Sequence, residues 1–117
     1  MAMQTKSKKF RVCELSKLRE MESYGWEGEY GGQKIQCFLV YQNDHVYSYI
    51  NRCPHTGVNL DWTAHQFLDS QKKFIQCSTH GALFKIEDGT CLHGPCIGDR
   101  LKSVKNVLEN GQIYLLL

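Results

Sequence analysis

Short stretches in which apolar and polar residues alternate recur along most of the chain. In residues 10–15, for example, Phe10 and Val12 alternate with Arg11 and Cys13. A period of two is typical of β-strands with one buried face. Further strands are predicted over residues 26–30, 34–41, 45–51, 73–76, 82–86, 101–109 and 112–117.

Turn-forming pairs separate several of these strands and predict β-hairpins. The pairs are Gly31-Gly32, Asn43-Asp44 and Asn110-Gly111. Gly, Asn and Asp tolerate the positive φ angles that tight hairpin turns require. The pattern therefore predicts an all-β fold, in which a small antiparallel sandwich or barrel carries its function on the longer loops.

One short segment, residues 16–22, has a helical pattern instead. Leu15, Leu18 and Met21 are spaced three apart, and Ser16 is a candidate N-cap. The segment is long enough for only one or two turns.

Composition narrows the class of protein. A chain of 117 residues fits one domain, residues 1–117. Fourteen Lys and Arg against twelve Asp and Glu give a net charge of +2, which is too balanced for a nucleic-acid-binding surface. No apolar run approaches the ~18 residues that span a bilayer, and the N-terminus does not resemble a secretory signal, so we expect a soluble, cytoplasmic protein that does not bind membranes.

Two loops combine cysteine with histidine. Cys53 and His55 lie in the predicted loop 52–61, and Cys77 and His80 lie in the predicted loop 77–82. Two thiolates and two imidazoles suit either zinc or a [2Fe-2S] cluster. A zinc finger usually pairs its cysteines and places its histidines on a helix, so the mixed loops disfavour a finger.

The pattern C-x-H followed by C-x-x-H is similar to the ligand motif of Rieske proteins, and the chain resembles a Rieske-type ferredoxin. Residues 89–97, with Gly94-Pro95, resemble the loop that covers the cluster in that family. The resemblance implies an antiparallel β-sandwich or barrel with a two-loop cluster-binding subdomain and one [2Fe-2S] cluster per chain. It also implies that Cys53 and Cys77 bind one iron and that His55 and His80 bind the other.

The function implied by the resemblance is that of a soluble one-electron carrier, which passes electrons from a reductase to a terminal oxygenase or a similar redox protein. Such a carrier needs no small-molecule substrate and performs no catalysis alone. One alternative is a small electron-transfer subunit of a larger oxidoreductase such as a nitrite reductase. Another is a zinc-stabilised binding module without redox activity. The near-neutral net charge gives no steering signature that identifies the partner.

The other cysteines and histidines receive ordinary roles. Cys13 and Cys37 lie in apolar strand patterns and are expected to be buried as small hydrophobic residues. Cys91 and Cys96 flank the covering loop, and in a reducing cytosol we expect thiols there rather than a disulfide or a redox role. The remaining histidines are expected to lie at the surface or to form hydrogen bonds. They are His45, His65 and His93.

We predict a reduction potential toward the lower end of the Rieske range, which extends from roughly −150 to +300 mV. High-potential Rieske proteins have a disulfide between the two ligand loops and Ser and Tyr hydroxyls that donate hydrogen bonds near the cluster. This chain has other residues at those four positions. The disulfide and the two hydroxyl hydrogen bonds are therefore missing, and the reduced state of the cluster is less stabilised. Protein-film voltammetry measures the potential, and a strongly positive value would refute the prediction. In this chain, the residues at the positions of the two disulfide cysteines, the Ser and the Tyr are Val58, Thr79, Ala82 and Phe84.

Overall fold

The computed structural model describes residues 8–54, 60, 65–77 and 81–117. Nine strands and one helix form within these residues. The strands are β1 (Lys9–Glu14), β2 (Ser23–Tyr30), β3 (Gln33–Gln42), β4 (His45–Ile50), β5 (Ile75–Gln76), β6 (Leu83–Phe84), β7 (Cys91–His93), β8 (Lys105–Glu109) and β9 (Gln112–Leu116), and the helix is α1 (Leu15–Met21). The predicted all-β class is confirmed.

The strands form three antiparallel sheets of three strands each. Their orders are β1-β9-β8, β2-β3-β4 and β5-β6-β7. β4 is joined to the segment that leads into β8 by an isolated bridge between Tyr49 and Ser103 and by a hydrogen bond from the N–H of Val104 to the Ser48 carbonyl. The β5-β6-β7 sheet has only two or three residues per strand, so most of its stability comes from packing rather than from its ladder.

The three predicted hairpins are confirmed. Each turn pair has positive φ at both residues, for example 53° at Asn110 and 77° at Gly111. Positive φ at both central residues gives the turn a twist that matches the twist of the flanking strands. The hairpins join β2 to β3, β3 to β4, and β8 to β9.

The helix begins one residue earlier than predicted, and Ser16 is not its cap. Glu14 occupies the N-cap position with an extended backbone, and its side chain makes no capping hydrogen bond. The helix starts directly where β1 ends, so strand pairing rather than a polar cap determines its first residue. Leu18 is fully buried and attaches the helix to the core.

Two buried clusters stabilise the fold. One cluster lies between α1 and the two larger sheets and includes Leu18, Cys37 and Leu39. The other extends from β3 and β4 to the small β5-β6-β7 sheet and includes Phe38, Tyr49 and Phe84. The predicted burial of Cys13 and Cys37 is confirmed, and burial raises the pKa of both thiols, that of Cys37 to about 12.

The segment that leads into the small sheet is anchored on β2 and β3. Phe67 stacks on Phe38 with ring centroids 4.4 Å apart. The backbone N–H of Gly25 donates to Nδ1 of His65 at 2.9 Å, and the Ser23 hydroxyl donates to the His65 carbonyl at 2.6 Å. The hydrogen-bonding role predicted for His65 is thus confirmed, and these contacts fix the position from which the chain enters β5.

No helix in the described part of the chain has the length and apolar character needed to cross a bilayer.

Candidate metal centre

The two predicted cysteine ligands lie at the ends of different strands. Cys53 follows β4 by three residues, and Cys77 follows β5 directly. Cys53 is 2% exposed and Cys77 is 0% exposed, and both belong to the buried cluster that contains Phe84. The fold therefore brings two thiol-bearing residues, distant in sequence, into one apolar layer.

Asn51 fixes both ends of the first ligand loop. Its side-chain oxygen accepts a hydrogen bond from the backbone N–H of Leu60 at 2.8 Å, and its own N–H donates to the Gln36 carbonyl at 2.9 Å. Asn51 is only 7% exposed and Leu60 is fully buried. The backbone of Asn51 thus ties the start of the loop to β3, and its side chain ties the start of the loop to Leu60 near its end.

A tight backbone turn closes the second ligand loop. The N–H of Gly81 donates to the Cys77 carbonyl at 2.8 Å, and the N–H of Cys77 donates to the Ala82 carbonyl at 2.9 Å. Gly81 has a φ of 69°, which favours glycine. The positions of the backbone at Cys77 and Ala82 are therefore set by direct hydrogen bonds across the loop.

The covering loop packs against the end of the second ligand loop. A Cβ at Gly94 would lie 3.0 Å from Cα and Cβ of Ala82, and Gly94 has a φ of 110°. Only glycine permits this close approach in this backbone conformation. The loop contains β7, a strand of three residues that the sequence pattern did not predict.

Cys91 and Cys96 form a disulfide, so the prediction of two thiols is wrong. The N–H of Cys91 donates to the Asp99 carbonyl, and the N–H of Asp99 donates to the Cys96 carbonyl. These bonds fold the loop back until the two Cα atoms are 5.8 Å apart, within the usual disulfide range. Gly94-Pro95 between two cysteines was the available sequence signal, since both residues favour a turn.

His55 and His80, the predicted imidazole ligands, lie outside the described residues, as do Val58 and Thr79. Within residues 8–54, 60, 65–77 and 81–117, no group of three or more His, Cys, Asp or Glu residues is placed to hold a metal. Of the four predicted ligands, Cys53 and Cys77 are the two that lie within the described residues. Both cysteines come from separate predicted ligand loops, and a bound cation there would offset the cost of burying them as thiolates.

Comparison with known proteins identifies the family. The model of the Rieske [2Fe-2S] domain matches residues 8–107. The chain belongs to the Rieske [2Fe-2S] domain family. Its cofactor is therefore a Rieske [2Fe-2S] cluster.

Solved Rieske structures share the fold. A chain in the complex of reduced oxygenase and oxidized ferredoxin of carbazole 1,9a-dioxygenase has a TM-score of 0.70 at 18% identity, with 92% of both chains covered. The ferredoxin of carbazole 1,9a-dioxygenase from Nocardioides aromaticivorans IC177 has a TM-score of 0.68 at 21% identity, with 95% of this chain and 97% of that chain covered.

The terminal oxygenase of carbazole 1,9a-dioxygenase from Novosphingobium sp. KA1 contains a similar unit. It has a TM-score of 0.67 at 22% identity, with 93% of this chain but only 29% of that chain covered. A search of curated proteins finds no match. At these identities the structural likeness shows the fold, and the family match shows the cofactor.

Replacing Asn51 with Ala should destabilise the protein by about 1–3 kcal/mol, because the buried N–H of Leu60 loses its acceptor. The variant should also release iron faster to a chelator, since the two ends of the first ligand loop are no longer joined. Asn51→Asp, which keeps an acceptor oxygen, is the control and should lose less. Urea unfolding and iron release measure the two effects, and an Ala variant that keeps both stability and iron would contradict the role of Asn51.

The disulfide predicts how many cysteines react in the denatured protein. With a chelator present to remove iron and without reductant, an alkylating reagent should label four of the six cysteines of the denatured protein. Cys91 and Cys96 should stay unmodified. After reduction all six should be labelled. Peptide mass spectrometry reads the result, and labelling of Cys91 and Cys96 before reduction would show that the pair is not oxidised.

Proposed function

We propose that this chain is a one-electron carrier in which Cys53, His55, Cys77 and His80 bind the Rieske cluster. In this assignment the two cysteines bind one iron and the two histidines bind the other. The observation that carries the proposal is the burial of Cys53 and Cys77 in one hydrophobic cluster of a Rieske domain. Bound there, the cluster gains and loses a single electron at potentials of roughly −150 to +300 mV.

The proposed acceptor is a terminal oxygenase, or a similar redox protein supplied by a reductase. The structural likeness supports the carrier role because it extends over nearly the whole ferredoxin chain but under a third of the oxygenase chain, and a similar structure is a complex of oxygenase and ferredoxin. Electron carriers meet their partners through small, transient interfaces, typically below about 1,200 Å². The proposed role accordingly requires a docking surface next to the cluster rather than a substrate pocket.

The chain's own residues would exclude water from one side of the cluster and present a contact surface on the other. Ala82, Phe84 and the Cys91–Cys96 disulfide are buried in the same layer as the two cysteine ligands. In the covering loop, Leu92 is 45% exposed and Ile97 is 69% exposed. Exposed apolar side chains on a loop with a disulfide suit brief contact with another protein, because little side-chain or backbone freedom is lost on docking.

The compartment stays a prediction. A cytoplasmic location follows from the sequence reading, whereas disulfides persist mainly in oxidising compartments. The Cys91–Cys96 disulfide is almost fully buried, with residues 3% and 0% exposed, which protects it from reducing thiols.

Replacing His80 with Ala should remove the cluster, because one of the two irons loses an imidazole ligand. Iron and acid-labile sulfide should fall to a small fraction of wild type, and electron transfer to an acceptor protein should be lost. His45→Ala is the matched control: its Nδ1 is near the carbonyl of Asn43 in a surface turn, so both properties should be retained. Electron transfer that survives His80→Ala would refute the ligand assignment, and stoichiometric zinc in place of iron would refute the carrier function.

A further inference from the structure

The basic residues are not distributed evenly over the surface, although the net charge is only +2. One surface groove of about 670 Å³ is lined by four basic side chains, and none of the described residues that line it is acidic. The four are Lys34, Arg52, Arg100 and Lys102. This groove and its four basic side chains are called the basic groove below. All four are exposed.

The basic groove lies directly beside the first ligand loop. Arg52 and Pro54 both line it, and Cys53 is the residue between them. On the other side, the N–H of Ile50 donates to the Lys102 carbonyl at 2.9 Å and holds that segment against the end of β4. The positive charge is therefore positioned by the same strand end that positions a cysteine ligand.

The charge in the groove is only partly compensated. Lys34 pairs with Glu27 at 3.2 Å, but both side chains are more than half exposed, so the pair is weak. Arg100 lies near enough to Asp88 to contribute to the lowered pKa of that carboxyl, after the larger effect of hydrogen bonds from Thr90. Among described residues, no carboxylate is within salt-bridge distance of Arg52 or Lys102.

We propose that the basic groove is the docking surface for an acidic face of the redox partner. The inference rests on the proposed function, because a carrier must bring its partner close to the cluster. Four exposed cations from three separate chain segments suit an extended acidic surface better than a small anion, which needs convergent, buried donors. Ile35, Ile50 and Pro54 provide apolar contacts in the same groove.

Electrostatic attraction of this kind acts mainly on the rate of encounter and depends on salt. Complementary charge raises association rates by factors of about 10 to 10³, and exposed charges are screened over about 10 Å at 0.1 M salt. Binding through the basic groove should therefore weaken strongly between low and physiological ionic strength.

The experiment uses an acidic plant-type [2Fe-2S] ferredoxin as the probe for an acidic redox protein. Isothermal titration calorimetry measures its affinity for the full chain at low and at physiological ionic strength. The double variant Arg52→Glu/Lys102→Glu reverses two groove charges. The control Lys17→Glu/Lys73→Glu makes the same change in net charge at two exposed lysines that do not line the groove.

We expect the wild-type chain to bind the probe at low salt and at least ~10-fold more weakly at physiological salt. The groove variant should bind at least ~10-fold more weakly than wild type at low salt, and the control should stay within about twofold. Basic cytochrome c should not bind. Absence of binding by the wild-type chain, equal loss in both double variants, or salt-independent affinity would overturn the proposal.

Iron and sulfide content of each variant separates the two proposals. Lost binding with full cluster content in the groove variant supports the docking surface. A chain that binds the probe through the groove but never incorporates iron would refute the carrier function, and with it the redox partner, and would leave the groove as a binding surface for an acidic protein.

Discussion

The candidate site depends on the burial of Cys53 and Cys77, more than twenty residues apart in sequence, in one apolar cluster. As the proposed ligands they must be held in place by the fold, because a buried thiolate is strongly destabilised until a bound cation compensates for its charge. Hydrogen bonds at the ends of both ligand loops meet this requirement. Asn51 fixes the first loop to β3 and Leu60, and the bonds between Cys77 and residues 81–82 close the second.

The rest of the molecule supports this arrangement through packing. The stacked pair Phe38 and Phe67 attaches the segment before β5 to the β2-β3-β4 sheet. The hydroxyl of Tyr49 in β4 donates to the carbonyl of Ile86, just after β6. The small sheet has too few ladder hydrogen bonds to be stable alone. Its position next to the first ligand loop is thus set by side chains from the larger sheets.

Local signals in the sequence were sufficient for the hairpins but not for every element. Pairs of Gly, Asn and Asp favour the positive φ angles of tight turns through their own backbone preferences. The three turns therefore form where these pairs occur. The start of α1 could not be read from Ser16, because pairing of β1 with β9 decides where the strand ends. The Cys91–Cys96 disulfide was missed because compartment, rather than the Gly94-Pro95 turn between the cysteines, guided that expectation.

The candidate site shows the same division between local and tertiary information. The spacing of Cys53, His55, Cys77 and His80 was enough to predict a family and a cofactor, since the chemistry needs those ligands in two loops. Nothing in the sequence distinguished Asn51 from an exposed asparagine, because burial depends on neighbours that are adjacent only after folding. The basic groove was hidden by the near-neutral net charge, since its cations come from segments that are adjacent only after folding.

Electron paramagnetic resonance of the freshly purified, dithionite-reduced protein shows whether two thiolates and two imidazoles of this chain hold a [2Fe-2S] cluster. We predict a rhombic signal with the lowered average g value of mixed histidine and cysteine ligation. A silent spectrum from protein that contains zinc, or a signal typical of four cysteine ligands, would contradict it.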